Sequence, residues 1–304
     1  MRALVGGLGD VLRAPGLVIA SVAAMLVVAI PFGAALGARL QQSLSHQQPV
    51  AEHAIEIDAD WWQEFVERAD GITATFTPTI LGFAAPLDNL SSLLDGTQRP
   101  LILLVPVAIA TVAWAFIWGA ALNRFAHGRQ ASAMWRAGAR TLAPFILVSA
   151  LTAALVLLLY YTVHPLLFDV AADRWQIATA TERSAFAGRA VLYVIFGSLL
   201  VTISIVADYA RIRLALAPRM PVAMAIREAW RFVREHTGPV FGLYVATGAL
   251  FVLLLVAYGA IEVTGGVHVG GWRGIAVAQA YIIARIVIRL TFGASELRLY
   301  RALV

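Results

Sequence analysis

Six apolar stretches, each close to or beyond the length that crosses a bilayer, leave this chain little choice of fold. A run of about 18 or more residues with few charges reads as a transmembrane helix, because about 20 residues rise through the roughly 30 Å of hydrocarbon. The stretches are 17–36, 101–122, 144–167, 191–207, 239–261 and 275–292. Backbone amides find no water inside a bilayer, so each stretch must satisfy them internally as helix. The expected class is all-α: a polytopic membrane bundle of six transmembrane helices joined by amphipathic interfacial helices. Composition agrees, with 13% charged residues against about 25% in a typical soluble domain. Short connections leave room for a single membrane domain over 1–304 and one inserted loop, 39–100. The first apolar stretch is longer than the core of a cleaved leader, and Asp10 interrupts the segment before it. We therefore read it as a retained span.

Charge orients the bundle. All 23 basic residues are arginine, and the net charge is only +5. Sixteen arginines fall on the side of the chain termini and the second and fourth interspan loops, and seven fall on the other side. The positive-inside rule then places both termini in the cytoplasm, in a bacterial inner membrane. These arginines sit in short turns and form no solvated stripe, so no nucleic-acid partner is expected. There is no cysteine, which excludes disulfides and thiolate chemistry.

An internal repeat runs at an offset of 95 residues: Trp135-Arg136 matches Trp230-Arg231, Pro144 matches Pro239, and Thr152 matches Thr247. Each unit reads as a cytoplasmic amphipathic helix, a proline and an outward span. Val11-Leu12-Arg13 and Pro15 fit the same scheme more loosely. Three same-direction units imply a pseudo-axis along the membrane normal. In the last amphipathic segment, Val222, Ile226, Trp230 and Val233 make the apolar face. Arg227, Arg231 and Arg234 face the other way, with Glu228 and Glu235 at pairing distance.

The 39–100 loop is long for a compact domain and is the first choice for partner contact. Trp61, Trp62, Phe65 and Val66 form an apolar stripe at helical spacing. Residues 86–95 read as a short helix with Leu87, Leu90, Leu93 and Leu94 inward and Gly96 as its stop. The candidate partner surface is Trp61, Trp62, Phe65, Leu90 and Leu94. Apolar faces outside the spans must bury against something.

Arg285 and Arg289 lie one turn apart within the last apolar stretch. A guanidinium at the centre of a span costs about 2.5–3.5 kcal/mol on the insertion scale, which makes intramembrane arginines functional candidates. Arg289 can snorkel toward the cytoplasmic headgroups. Arg285 is deeper and needs a partner, with Asp208 and Glu296 the nearest acids. Together with Arg211 these residues form a candidate anion, lipid or ion-pair site. An acid or amide precedes arginine at three inward helix ends: Asn123-Arg124, Asp208 with Arg211, and Glu296 with Arg298. Gly33 and Gly37, and Gly238 with Gly242, are spaced for close helix packing.

Catalytic patterns are lacking. Gly7-Leu8-Gly9-Asp10 imitates an intramembrane protease motif, but no second intramembrane aspartate exists to share its proton. Ser198 and His164 sit on oppositely running spans with no motif around the serine. His46, Glu52 and His53 belong to a polar loop. No metal, cofactor or phosphate-cradling loop is expected.

The run Asp208-Tyr209-Ala210-Arg211-Ile212-Arg213, the segment 225–236 and the repeated cytoplasmic helix resemble a group of uncharacterised bacterial six-span membrane proteins, the YciC-like and DUF4013-like families. The resemblance implies the six-span fold and carries no activity. Two functions follow as expectations. The leading one is a non-enzymatic scaffold or accessory subunit, with membrane lipids and a protein partner or second copy of the chain as its contacts. The alternative is a transporter or lipid-handling protein with an arginine-lined, cytoplasm-facing cavity. Reporter fusions test the orientation on which both rest: fusions at Gly128 and Met220 are expected to report cytoplasm, and one at Gly96 the opposite side.

Overall fold

The structure, a computed structural model, describes residues 2–44, 59–76, 82–97, 99–128, 131–178, 181–264 and 271–304. Among these there is no strand; the chain is a succession of helices. They are α1 (Arg2–Leu12), α2 (Pro15–Leu44), α3 (Ala59–Arg68), α4 (Ala84–Asp95), α5 (Leu104–His127), α6 (Ala131–Pro165), α7 (Ala172–Ala178), α8 (Glu182–Leu216), α9 (Val222–Glu235), α10 (Thr237–Thr264) and α11 (Trp272–Leu303). Six segments are long and apolar enough to cross a membrane: α2, α5, α6 continued into α7, α8, α10 and α11. The molecule is a multi-pass membrane protein. His46, Glu52 and His53 lie outside the described residues.

Hydroxyls inside the spans turn back on their own helices. Ser21 donates to the Leu17 carbonyl at 2.7 Å, Thr152 to Val148 at 2.7 Å and Thr247 to Leu243 at 2.9 Å. Each polar group is thereby satisfied without water. Pro15 opens α2, where its missing N–H costs nothing. Pro144 does not behave that way. It lies inside α6, so the expected amphipathic helix and its span form one continuous 35-residue rod. The reason is tertiary: the first half of α6 packs tightly along α5 on both sides of the proline. Around Gly119 and Gly138 the backbones come so close that a Cβ on Gly138 would sit 2.7 Å from the Phe116 carbonyl oxygen. In the last unit, the backbone breaks at His236 between α9 and α10.

The packing follows one pattern three times. α1 packs on α11, the start of α6 on α5, and α9 on α8. The three helices that receive them, α5, α8 and α11, also touch one another. Two ion pairs lock this arrangement. Arg298 on α11 grips Asp10 on α1 through Nε at 2.7 Å and Nη2 at 2.9 Å. Arg213 on α8 donates to Glu228 on α9 and, at 2.7 Å, to the Tyr300 hydroxyl on α11. Glu228 therefore pairs with another helix and not with the arginines of α9. The buried face of α9 is also rotated from the expected one: Ala225, Ala229, Phe232 and Val233 are buried, while Trp230 is 49% exposed. Alanines let α9 lie close on α8, and the bulky indole is left at the margin.

The buried core gathers at the end of the bundle that holds the chain termini and the arginine-rich turns. It runs through Ala115–Leu122, Phe145, Ile205–Ala215, α9 and Ile286–Tyr300. Only 11–22% of each span's most apolar window is buried within the protein. Gly7, Gly119, Gly138 and Gly293 sit at close helix contacts, whereas among the described residues nothing lies within 4 Å of where a Cβ would stand on Gly33, Gly37, Gly238 or Gly242.

At that opposite end α4 lies across the bundle as a strap. The Phe83 amide before it donates to Glu262 of α10 at 2.9 Å. Its far end takes hydrogen bonds from Tyr160 to the Leu93 carbonyl and from Tyr193 to Asp95. Gly96, at φ 66°, ends the helix in the left-handed conformation, as its sequence signals. Of the four leucines expected inward, only Leu94 turns toward the bundle, half-buried beside Gly197 of α8. Leu87, Leu90 and Leu93 are 46%, 53% and 47% exposed, and no residue of α4 is fully buried. Main-chain and polar contacts, with Leu94, hold the strap and leave most of its apolar face uncovered. Phe65 of α3 is corrected in the opposite sense: it is buried against Trp62 and Phe76, with ring centroids 5.8 and 5.9 Å away, and offers no open surface.

The hydrogen bonds from Tyr193 and Ser91 hold the Asp95 carboxyl below its ordinary value. A depressed native carboxyl contributes stability above its unfolded value of 3.8 and loses it as pH falls through the lowered native value. The strap is expected to loosen only in that acid window, read by hydrogen exchange of α4, and Tyr193→Phe is expected to flatten the dependence. At the α5–α6 contact, Gly138→Ala is expected to lower detergent-phase stability by about 1–3 kcal/mol, the usual cost of overpacking, in a thermal-shift assay.

Candidate functional site

One face of α11 carries the intramembrane charges. Arg285, Arg289 and Glu296 stand at i, i+4 and i+11, so they line up along the helix. At about 1.5 Å per residue, Arg285 lies roughly 16 Å from Glu296. The lower part of this face meets α8 and α10. Asp208 and Arg211 form an ion pair on α8, Nη1 to Oδ1 at 2.7 Å, with side chains only 22% and 19% exposed. Arg211 also donates from Nη2 to Ser149 Oγ of α6 at 3.2 Å. The hydroxyl of Tyr244, on α10, reaches Asp208 Oδ2 at 3.0 Å and Glu296 Oε1 at 2.7 Å. A phenol has one hydrogen, so the two carboxyls share it. Glu296 is 1% exposed, and its Oε2 finds no partner among the described residues. α8 and α10 share almost no packing elsewhere. Tyr244 is thus the bridge between them.

Above this sealed floor the two deeper arginines are exposed. Arg289 rests over the Trp114 ring of α5, with Cζ 4.4 Å from the centroid. Cation–π contact of this kind steadies a guanidinium without neutralising it. Asp208, Arg211 and Arg285 lie within electrostatic reach of Arg289, but among the described residues no carboxylate pairs with it. Arg285 makes no hydrogen bond or ion pair among the described residues. The expected pairing of Arg285 with Asp208 or Glu296 is therefore not formed. Asp208 is taken by Arg211, which is closer on the same helix, and Glu296 lies too far along α11 and points into the floor.

The structure thus joins Asp208, Arg211 and Glu296, sets Arg289 beside them and leaves Arg285 one turn beyond. Sequence reasoning missed Tyr244, Ser149 and Trp114. A tyrosine hydroxyl within an apolar span was the available signal, since such a group needs a partner at that depth. Glu296 does not pair with Arg298, whose guanidinium is taken by Asp10. Of the second group of candidates, Trp61 and Trp62 lie on α3, while Leu90 and Leu94 belong to the strap. The two groups do not form one site. A hollow of about 680 Å³ at the arginine-rich end is lined by Arg140, Ala217, Pro218, Arg219 and Met220.

Compared with models of known families, with curated proteins and with solved structures, the chain finds no match in any of the three.

Tyr244→Phe removes the bridge and leaves the buried Glu296 carboxyl without its donor, while Asp208 keeps Arg211. It is expected to destabilise the folded protein by about 1–3 kcal/mol, seen as a lower unfolding temperature in detergent. Tyr161→Phe, at an 80% exposed position, is expected to change nothing.

Proposed function

We propose that this protein binds an anionic group of the membrane, a phospholipid headgroup phosphate or a comparable anion, at Arg285 and Arg289. On this reading it is a lipid-handling or transport protein that acts by binding and not by catalysis. One observation carries the reading: Arg285 and Arg289, both exposed residues, stand without a carboxylate partner among the described residues, on a helix long and apolar enough to cross the membrane. Such charges are costly at that depth unless paired or wet. An arriving phosphate supplies the missing counter-charge through strong charge-assisted contacts. The Asp208–Arg211–Tyr244–Glu296 layer serves as its rigid floor. The gap between α8 and α10 supports side entry, because acyl chains can remain in the bilayer while the headgroup enters.

The arginine distribution favours both termini, α9 and this floor on the cytoplasmic side of a bacterial inner membrane. The threefold recurrence of short helix on receiving helix favours three repeated units. A second reading, a scaffold or accessory subunit, draws on the uncovered leucines of α4. It calls for a stoichiometric partner that crosslinks to Leu90 in gentle membrane extracts.

Native mass spectrometry from nanodiscs containing phosphatidylglycerol and phosphatidylcholine tests the binding reading. The protein is expected to retain phosphatidylglycerol preferentially. Arg285→Gln with Arg289→Gln is expected to reduce that retention at least about tenfold, the equivalent of one lost charge-assisted contact. Equal retention by the parent chain and the double variant would remove the arginines from the reading.

A further inference from the structure

At the strap end of the bundle, away from the arginine site, α4, α6, α8 and the turn after α6 border an open cavity of about 450 Å³ lined by Asp95, His164, Phe168, Asp169, Arg189 and Tyr193. The backbone is shaped to place two of these residues. Pro165 ends α6, and residues Leu166–Ala171 widen into a π-helical turn before α7. Proline has no N–H to give to the preceding turn, and a π turn accommodates the lost bond; such turns recur at functional sites. Phe168 and Asp169 stand on this turn.

The walls are aromatic and the charge is negative. Phe168 lies 4.6 Å from the His164 ring and 4.7 Å from the Tyr193 ring. Asp95 accepts from Tyr193 and from Ser91, the latter at 2.8 Å, and remains ionised at neutral pH. The Leu94 carbonyl at the C-terminal end of α4 meets Nε2 of His164, the lining's second basic side chain, at 3.2 Å. Arg189 is the one guanidinium in the lining, and it is already engaged: it lies 5.9 Å from the Tyr193 ring centroid and acts on Asp95. Asp169 is exposed and makes no hydrogen bond or ion pair among the described residues. Two carboxylates thus stand against one committed arginine, with His164 already placed on the Leu94 carbonyl and Asp169 left without a counter-charge among the described residues. Aromatic faces beside carboxylates are the surroundings that an ammonium group prefers.

We propose that this cavity binds an organic ammonium group, with Asp169 as its counter-charge and Phe168 and Tyr193 as its walls. The ammonium can belong to an ethanolamine-type lipid headgroup or to a free amine. The inference is independent of the arginine site, and its test uses a different variant and a different headgroup.

The full chain is placed in phosphatidylglycerol nanodiscs with and without phosphatidylethanolamine, and retained lipid is measured by native mass spectrometry. In detergent, free ethanolamine and its neutral counterpart ethylene glycol are titrated and followed by saturation-transfer NMR. Selective retention of phosphatidylethanolamine, or saturable binding of ethanolamine over ethylene glycol, is expected, and whichever occurs identifies the source of the ammonium. Asp169→Asn is expected to weaken that binding about tenfold, the loss of one charge-assisted contact. Asp173→Asn, on exposed α7, is expected to leave it unchanged. Circular dichroism of each variant checks the fold. Binding of neither probe, equal binding of ethanolamine and ethylene glycol, or an Asp169→Asn protein that binds like its parent would overturn the proposal.

Discussion

Hydrocarbon offers no hydrogen bonds, and the whole structure answers that constraint. It forces each apolar stretch into helix. It turns Ser21, Thr152 and Thr247 back onto their own carbonyls. It also makes any charge held at that depth seek a partner. Asp208, Arg211, Tyr244, Glu296 and Ser149 meet that demand within the protein, through contacts from four different helices. Arg285 and Arg289 do not meet it, which is why function is assigned to them.

The bundle is unevenly built. Its core and both interhelical ion-pair systems lie at the arginine-rich end, where α1, the start of α6 and α9 each seal a receiving helix. Short helices with small residues achieve this because van der Waals contact, not hydrophobic exclusion, drives helix association in lipid. Gly7 and Gly138 let the backbones approach, and Asp10–Arg298 and Arg213–Glu228 fix the register. The other end is held by a strap of mostly polar contacts, with wide apolar surfaces left to lipid or to a partner. The two proposed sites fall on either side of this divide. The arginine site stands over the packed floor, and the ammonium cavity is built from the strap and the π turn.

Reading glycine spacing shows where pattern stops being informative. Gly33-xxx-Gly37 has the familiar small-residue spacing, yet among the described residues nothing stands within 4 Å of where its side chains would be. Gly119 and Gly293 carry no recognisable motif and sit in the closest contacts. Proline was similarly ambiguous. Pro15 and Pro144 occupy matched positions in the repeat, but one starts a helix and the other lies within one. The difference comes from the neighbouring α5, which the local sequence of α6 does not encode.

Span number, helical class and the helix stop at Gly96 were legible from residues alone, because hydropathy, length and backbone propensity are local properties. So were Asp208, Arg211, Arg285, Arg289 and Glu296 as charges in or beside apolar runs, since such charge announces itself. Partnership was not legible. That Tyr244 would join Asp208 to Glu296, that Arg298 would hold Asp10 across the chain, and that Phe65 would be buried while Leu90 stayed open all depend on which helix faces meet. Six helices of similar hydropathy can be arranged around one another in many ways at nearly equal cost to the lipid. Only the packed structure selects one, through a few close glycine contacts and polar pairs that local sequence does not reveal.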